Sequence, residues 1–292
     1  MSEIDAGRSR MQKASAQGER MQIRSKATPP RARPHGQFCV LMTATIRPKG
    51  RLGTELVRSD PGVRLADYVQ GLQSWLELSD PRVGGVVLAE NSGYPRAALE
   101  AAFSAGLRSS RSFEIISCDA PPPPEGLSYG YSEFALVDHA LEHSKLLGEF
   151  SGFVKATGRY QFPSISRLLD RLPSDFRFAA DCTGYRPFGM RSIPILSAAL
   201  LLTQREFFVR ELRHLYREMV PAPPWTRKQF IEAMFYDHLY PMRKQAGVVL
   251  RWPCNCSPVG IGANGDDYGS PRKKVTNLLR AFLRRVAPEL WV

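Results

Sequence analysis

Four apolar runs, each but the last followed by a segment with helical spacing, are the feature that most constrains this chain. They are FCVLMTATI (38–46), VGGVVLAE (83–90), SFEIISCD (112–119) and GFVKATGRY (152–160). A run that is apolar at almost every position suits a strand covered on both faces, because a half-exposed strand alternates. Between the first two, RLADYVQGLQSWLEL (64–78) sets Leu65, Tyr68, Val69, Leu72, Trp75 and Leu76 at helical spacing, with Asp60-Pro61 as its lead-in. PRAALEAAFSAGL (95–107) and YSEFALVDHALEHSKLL (131–147) read as the next two helices. Such alternation predicts an α/β fold, a mostly parallel sheet flanked by helices.

Beyond Gln161 the alternation loosens. SISRLLDRL (164–172) reads as a short helix and FRFAADCTGY (176–185) as a strand. TQREFFVRELRHLYREMV (203–220) reads as one long helix, and RKQFIEAMFYDHLYPMR (227–243) as another, ended by Pro241. A Gly-rich loop then leads into a basic helix, within GIGANGDDYGSPRKKVTNLLRAFLRRV (260–286). APPPPEG (120–126) is a stiff low-complexity loop, and no internal repeat occurs. The expected organisation is a basic tail over 1–36, an α/β half over 37–165, and a more helical half of the same domain over 166–292.

Composition narrows the setting. The 292 residues are 43% hydrophobic and 10% aromatic, enough for a sizeable core. The formal charge is +12 and the pI about 9.7, which favours phosphate-bearing partners: nucleic acid, an anionic membrane or a nucleotide-linked substrate. Part of that charge is local, since residues 1–36 hold eight Lys/Arg against three Asp/Glu and almost no apolar clustering. That segment is expected to be disordered, and it lacks the apolar stretch of a secretory signal. The longest apolar run, SIPILSAALLL (192–202), falls short of the roughly 18 residues a membrane span needs. Five cysteines without a signal suggest free thiols and a cytoplasmic setting. The Cys254-x-Cys256 pair has no second pair or His cluster to complete a zinc site.

In a parallel, helix-flanked sheet, ligands sit beyond the carboxyl ends of the strands. Those ends here hold Thr43 and Thr45, then Glu90-Asn91-Ser92-Gly93-Tyr94, then Cys118-Asp119, then Thr157-Gly158-Arg159 preceded by Lys155. Glu90 and Asn91 suit ribose or base hydrogen bonds, or else belong to an ordinary Asx turn. GLSYGYSE (126–133) opens a helix whose free N–H groups suit a phosphate or ribose, or is a plain helix entry capped by Ser132. It is neither a P-loop nor a dinucleotide fingerprint. Lys155 and Arg159 suit a diphosphate, or else Arg159 pairs with a nearby acid and Lys155 lies on a sheet edge. Three polar clusters at successive strand ends together describe a nucleotide site.

These residues resemble a group of bacterial glycosyltransferase-like proteins linked to capsule, O-antigen or exopolysaccharide assembly. The resemblance rests on LMTATIRP, RLADYVQGLQSWL, VVLAENSGYP, SYGYSEFALVDHALEHSKLL and FVKATGRYQF, over about residues 38–165, and is looser through IEAMFYDHLY and GIGANGDDYG. It implies a GT-A-like fold, with a nucleotide-sugar-binding half and an acceptor-side half. It sets Thr43, Thr45, Glu90, Asn91 and Gly93 around the nucleoside, with Asp119 at the neighbouring strand end and Gly130 near the ribose. The K-x-TGR segment stands where many such enzymes hold a metal with Asp-x-Asp. Here Lys155, Thr157, Gly158 and Arg159 replace the acids, so cations, with Arg272 and its neighbours Lys273 and Lys274, would stabilise the leaving phosphate directly. No cofactor is expected beyond the nucleotide-sugar co-substrate, and a divalent metal remains an alternative without a motif to hold it.

Deprotonating an acceptor hydroxyl requires a base. Glu232, Asp237 and Asp181 are the candidates, each with the alternative of a surface carboxylate or helix salt bridge. The implied partners are a nucleotide-sugar donor and a saccharide or lipid-linked acceptor; no specific nucleic acid is expected. A nucleic-acid-binding protein and a nucleotidyltransferase are the competing readings. The Val275/Leu278/Leu279/Phe282 stripe of the basic C-terminal helix either packs it onto the body or meets an anionic membrane at the inner face of the inner membrane.

Overall fold

The computed structural model describes residues 37–49, 56–104, 111–185, 191–223, 226–262 and 264–287. The basic tail of 1–36 lies outside them. The sheet has seven strands in the order β3-β2-β1-β4-β8-β5-β9. These are β1 (Phe38–Ala44), β2 (Val83–Glu90), β3 (Ser112–Ser117), β4 (Gly152–Thr157), β5 (Phe178–Ala179), β8 (Leu200–Gln204) and β9 (Val248–Val249). The first four are mutually parallel; β8 runs antiparallel to both β4 and β5, and β5 pairs parallel with β9. Two further strands, β6 (Cys182–Tyr185) and β7 (Arg191–Leu196), form a separate antiparallel pair. The expected α/β class, a mostly parallel sheet between helices, is what the chain adopts.

The unbroken apolar runs follow from a core on each face of the sheet. In β1, Cys39 and Leu41 enter one core while Phe38, Val40, Met42 and Ala44 enter the other. The first core is closed by α3 (Tyr129–His143), α6 (Arg205–Glu211) and α7 (Ile231–Leu239), with Phe134 and Phe235 edge to face at 4.6 Å. The second is closed by α1 (Pro61–Leu76), α2 (Arg96–Ser104) and α5 (Ile165–Arg171). The lead-in to α1 behaves as its sequence predicts: Asp60 accepts from the Val63 N–H at 2.8 Å and Pro61 fills the first turn. A short helix, α4 (Lys145–Gly148), leads into β4 after a break at Ser144. The Gly-rich loop leads into α8 (Pro271–Val286), as expected.

Four segments depart from the sequence expectation. The helix expected over 131–147 breaks at Ser144 into α3 and α4, and SIPILSAALLL forms β7, a turn and β8. The 203–220 stretch is therefore the end of a strand, then α6, then a break where His214 adopts φ 68° and a 3-10 turn follows. The 176–185 strand splits: Phe178–Ala179 stays in the main sheet and Cys182–Tyr185 leaves it for β7. The 227–243 helix narrows to α7, because Phe230 is extended before it and Pro241 sits in a 3-10 turn after it. Among the described residues, no helix is long and apolar enough to cross a membrane.

One close approach positions the end of β4. The Gly158 N–H donates to the Thr43 carbonyl at 2.9 Å, and a Cβ on Gly71 of α1 would lie 2.0 Å from the Gly158 carbonyl oxygen. An alanine in a helix interior ordinarily gains about 1 kcal/mol over glycine. Here the backbone clash outweighs that gain, so Gly71→Ala should destabilise the fold by about 1–3 kcal/mol in urea denaturation.

Candidate functional site

The site begins with strand order. The chain passes from β1 to β2 on one side of β1, while β4 pairs with β1 on the other side. The sheet therefore has a topological switch point between β1 and β4, and a crevice opens beyond their carboxyl ends. A cleft of about 680 Å³ lies there. Its lining includes Thr43 and Thr45 at the end of β1, Thr157 and Arg159 at the end of β4, Glu133 of α3 and Ala198 of the β7–β8 turn. Glu232 of α7, and Lys273, Asn277 and Arg280 of α8, complete other walls.

The floor is built on a largely buried ion pair. Lys155, on the face of β4 that also carries Phe153, is fully buried. Its ammonium donates to Glu133 Oε1 at 2.6 Å, to the Ala198 carbonyl at 2.5 Å and to Thr157 Oγ1 at 3.3 Å. The same Glu133 oxygen accepts from Thr43 Oγ1 at 2.8 Å and Thr157 Oγ1 at 3.0 Å. Burial alone would push the Glu133 carboxyl up; the Lys155 ammonium and the two threonine hydroxyls outweigh it and hold the group below the usual range. Four residues from β1, β4 and α3 are thus fastened together at one carboxylate oxygen.

Arg159 occupies the wall above this floor. Its guanidinium lies over the Tyr160 ring at 5.5 Å, and its Nε and Nη1 are buried with no hydrogen-bond partner among the described residues. Tyr160 meets Tyr268 edge to face at 5.3 Å, and the Gln161–Val259 ladder brings the 255–268 segment alongside. Burial first, then neighbouring Tyr268, raises the Tyr160 phenol to about 12 against the opposing pull of Arg159. A neighbouring arginine, Arg64, is fully engaged: its guanidinium donates to the Thr45 and Arg58 carbonyls and to the Tyr68 hydroxyl, fixing the turn after β1.

Glu232 lines the same cleft. Burial raises its proton affinity, the neighbouring Glu133 adds to that, and its own N–H and Lys155 oppose it. The cleft therefore joins an arginine with buried, unpartnered N–H groups to a carboxylate biased toward holding a proton. Such a pair can bind an anion and move a proton.

The cleft gathers seven of the fifteen candidate residues and leaves the others out. Thr43, Thr45, Asn91, Thr157, Arg159, Asp181 and Glu232 line it. Lys155 is one layer below, with its ammonium donating to three protein oxygens, so it supports the floor instead of reaching a ligand. It is also on a central strand, not an edge, and Arg159 forms no ion pair among the described residues, which removes both alternatives raised for them. Glu90 is completely buried and is not a donor contact: it accepts from the Ile46, Ser92 and Tyr94 N–H groups and from the Ser92 hydroxyl, shaping its own turn. Asn91 and Ser92 are the residues of that turn that line the cleft, Asn91 accepting from Thr45 Oγ1 at 2.7 Å.

Gly93, at φ 67°, serves the turn against Asp119, whose carboxylate pairs with Lys49. Gly130 is a packing position, since a Cβ there would meet Ile231 of α7 at 2.5 Å, and Gly158 is held against Thr43 and Tyr68. Asp237 points away from the cleft and pairs with Arg227 at 2.6 Å. Asp181 forms an ion pair with Arg284 of α8. Arg272 and Lys274 are exposed and not in the lining, so neither reaches the cleft; Lys273, between them, does. Cys254 and Cys256 are both buried, and no three His, Cys, Asp or Glu side chains cluster as a metal site among the described residues.

Sequence reasoning alone misses Glu133, which reads only as the end of a helix-opening loop, and Tyr68, Tyr160, Trp252 and Tyr268 of the walls. The one signal for Glu133 is a polar residue at the start of a helix facing a strand that carries a lone lysine.

No family model and no curated protein matches the chain. Solved structures resemble it weakly. A candidate nucleotide-diphospho-sugar transferase from Desulfovibrio desulfuricans G20 is 14% identical with a TM-score of 0.40, covering 74% of this chain and 79% of that one. A cytidylyltransferase from Leptospira borgpetersenii is 10% identical with a TM-score of 0.40, covering 74% and 76%. A glycosyltransferase involved in glycosylating the major capsid of PBCV-1 is 8% identical with a TM-score of 0.39, covering 74% and 82%. Likeness at this level assigns no activity to the chain.

The ion pair makes a testable demand. Lys155→Met leaves Glu133 without its counter-ion and should cost about 3–5 kcal/mol in denaturant unfolding, with part of the loss recovered in the Glu133→Gln/Lys155→Met double variant. Because the folded-state affinity of Glu133 for a proton is depressed, its contribution is present above the unfolded value of about 4.3 and fades as pH falls below it. The Lys155→Met variant should therefore show a shallower acid loss of stability than the wild type.

Proposed function

We propose that this chain is a nucleotide-sugar transferase that moves a sugar from a nucleotide-sugar donor to a saccharide or lipid-linked acceptor. The observation that carries the reading is Arg159, whose buried and unpartnered Nε and Nη1 stand at the β1/β4 switch point in a cleft that also contains Glu232. A guanidinium in that position matches the paired oxygens of a donor phosphate. Thr45 and Asn91 stand at neighbouring strand ends for the nucleoside.

In the reaction so read, the bond between the anomeric carbon and the donor phosphate breaks as the acceptor oxygen bonds to that carbon. The acceptor proton passes to the Glu232 carboxylate, and Arg159 stabilises the negative charge gathering on the departing phosphate. Lys273 and Arg280 add positive charge to the wall that Arg272 was expected to supply. Lys155 acts only through Glu133 and the two threonines. Assignment to surface-polysaccharide assembly rests on the sequence resemblance alone. Persistence of full transfer in EDTA would support direct cationic stabilisation, and a strict requirement for Mg²⁺ or Mn²⁺ would refute it.

Thermal stabilisation by one class among UDP-, GDP-, dTDP- and CMP-sugars should be seen with the wild type, be lost in Arg159→Ala and be partly retained in Arg159→Lys. Release of pyrophosphate from a nucleoside triphosphate and a sugar phosphate would establish a nucleotidyltransferase instead. Salt-sensitive binding to any DNA, with no nucleotide shift, would establish a nucleic-acid-binding protein.

Glu232→Gln should lower turnover by roughly 10²- to 10⁴-fold while leaving the nucleotide-induced thermal shift in place. The wild-type rate should rise with pH as Glu232 ionises, with a midpoint above the usual carboxylate value of about 4.3. A group whose folded-state value is raised loses its stabilising contribution as pH climbs through that value. Glu232→Gln should accordingly be more stable than the wild type at neutral pH, which separates loss of the base from loss of the fold.

A further inference from the structure

The C-terminal helix α8 is mounted with its polar face inward. Lys273, Asn277 and Arg280 line the cleft, and Arg284 pairs with Asp181. Those four residues are spaced by four, three and four, so they form one stripe of the helix. The opposite stripe is Val275, Leu278, Phe282 and Val286, whose side chains are 65%, 71%, 60% and 56% exposed. The packing expected for Val275, Leu278, Leu279 and Phe282 is absent: Leu279 is half-buried, the other three are exposed, and none belongs to either core. Four large apolar side chains in one continuous line on a helix exterior are not the scattered exposure that soluble surfaces tolerate.

Charge selects what covers it. Arg272 flanks the stripe on one side and Lys274 and Arg285 on the other, all exposed, and the helix contains no Asp or Glu. A second copy docking by two-fold symmetry would bring two such cationic helices face to face, which is repulsive. A duplex or single strand of nucleic acid would pair with the cations but leave the apolar line in water. A helix with a strong apolar stripe, a cationic remainder and low net hydrophobicity is the form that lies in the plane of an anionic bilayer, with apolar side chains among the acyl chains and Lys/Arg at the phosphates.

We infer that α8 is a peripheral membrane anchor for an anionic lipid surface, with Val275, Leu278, Phe282 and Val286 as the inserted line and Arg272, Lys274 and Arg285 as headgroup contacts. This inference stands on the helix alone and holds whatever the cleft binds. Its consequence joins the two: since the inner face of the same helix walls the cleft, anchoring brings the mouth of the cleft to the lipid–water boundary. A substrate carried on a lipid would then be presented to the cleft without leaving the membrane.

The experiment is vesicle flotation of the full chain with phosphatidylcholine vesicles containing about 30 mol % phosphatidylglycerol, and with pure phosphatidylcholine vesicles. Binding to the anionic vesicles is expected to be far stronger. Leu278→Glu/Phe282→Glu should weaken it by roughly tenfold or more, and Lys274→Gln/Arg285→Gln by several-fold. A Phe282→Trp variant should add a blue-shifted emission that brominated acyl chains quench. Melting temperature and nucleotide response should be unchanged in all three variants, which separates a failed anchor from a failed fold or a failed cleft. The inference is overturned if Leu278→Glu/Phe282→Glu floats like the wild type, because the basic 1–36 segment would then account for the binding. It is overturned equally if no flotation occurs, if lipid leaves the fluorescence of the Phe282→Trp variant unaffected, or if light scattering shows that the apolar substitutions dissolve a dimer.

Discussion

Everything above the sheet rests on one carboxylate oxygen. Glu133 Oε1 receives the Lys155 ammonium and the hydroxyls of Thr43 and Thr157, so the ends of β1 and β4 and the start of α3 share a single acceptor. A buried pair of this kind is a poor source of net stability against an apolar alternative, since desolvating two charges offsets most of their attraction. Its value is geometric. The ammonium also binds the Ala198 carbonyl, which ties the β7–β8 turn to the same point. Four chain segments that meet nowhere in sequence are thereby set at fixed distances around the cleft floor, and the Glu133 carboxylate, which would repel a phosphate there, already has its counter-ion.

That arrangement also explains the division of labour between the two cations of FVKATGRYQF. Side chains alternate along β4, so Lys155 must point into the core shared with Phe153. Arg159 lies past the strand, after the Thr157–Gly158 turn clamped by the Thr43 carbonyl and by α1 through Gly71. The first is held by protein oxygens and cannot reach a ligand. The second keeps two N–H positions buried without partners among the described residues, next to tyrosine rings that restrict its orientation. Pre-orientation of a guanidinium in a partly dry wall strengthens its attraction for an anion, because little solvent has to be reorganised on binding.

The first four strands, their helices and the location of a cleft at their ends are legible in the sequence, because strands buried on both faces write unbroken apolar runs and helices write their own period. Strand order is not, since nothing in the local pattern states that β4 pairs with β1, and it is this pairing that places Thr157 and Arg159 beside Thr43. Polar residues at strand ends are legible as a set but not individually. Glu90 and Asn91 are adjacent, yet one is absorbed by three backbone N–H groups and the other faces the cleft. Glu232 and Asp237 share α7, but only the direction in which that helix packs, fixed by Phe235 against Phe134 and Ile231 against Gly130, sends one to the cleft and the other to Arg227. SIPILSAALLL carries no mark of the turn that divides it into two strands of different sheets.

The helix α8 shows the same limit from the other side. Its period announces an amphipathic helix, and amphipathic helices ordinarily turn their apolar stripe to the core. Here α1, α2 and α5 close one face of the sheet and α3, α6 and α7 the other, and α8 contributes to neither core. What remains within its reach is the polar rim of the cleft. The Asp181–Arg284 pair and the placement of Lys273, Asn277 and Arg280 at the cleft wall follow from that geometry, and they force Val275, Leu278, Phe282 and Val286 outward. An outward apolar stripe is costly in water, and a chain that keeps one along the length of a helix gains from it only where water is not the neighbour.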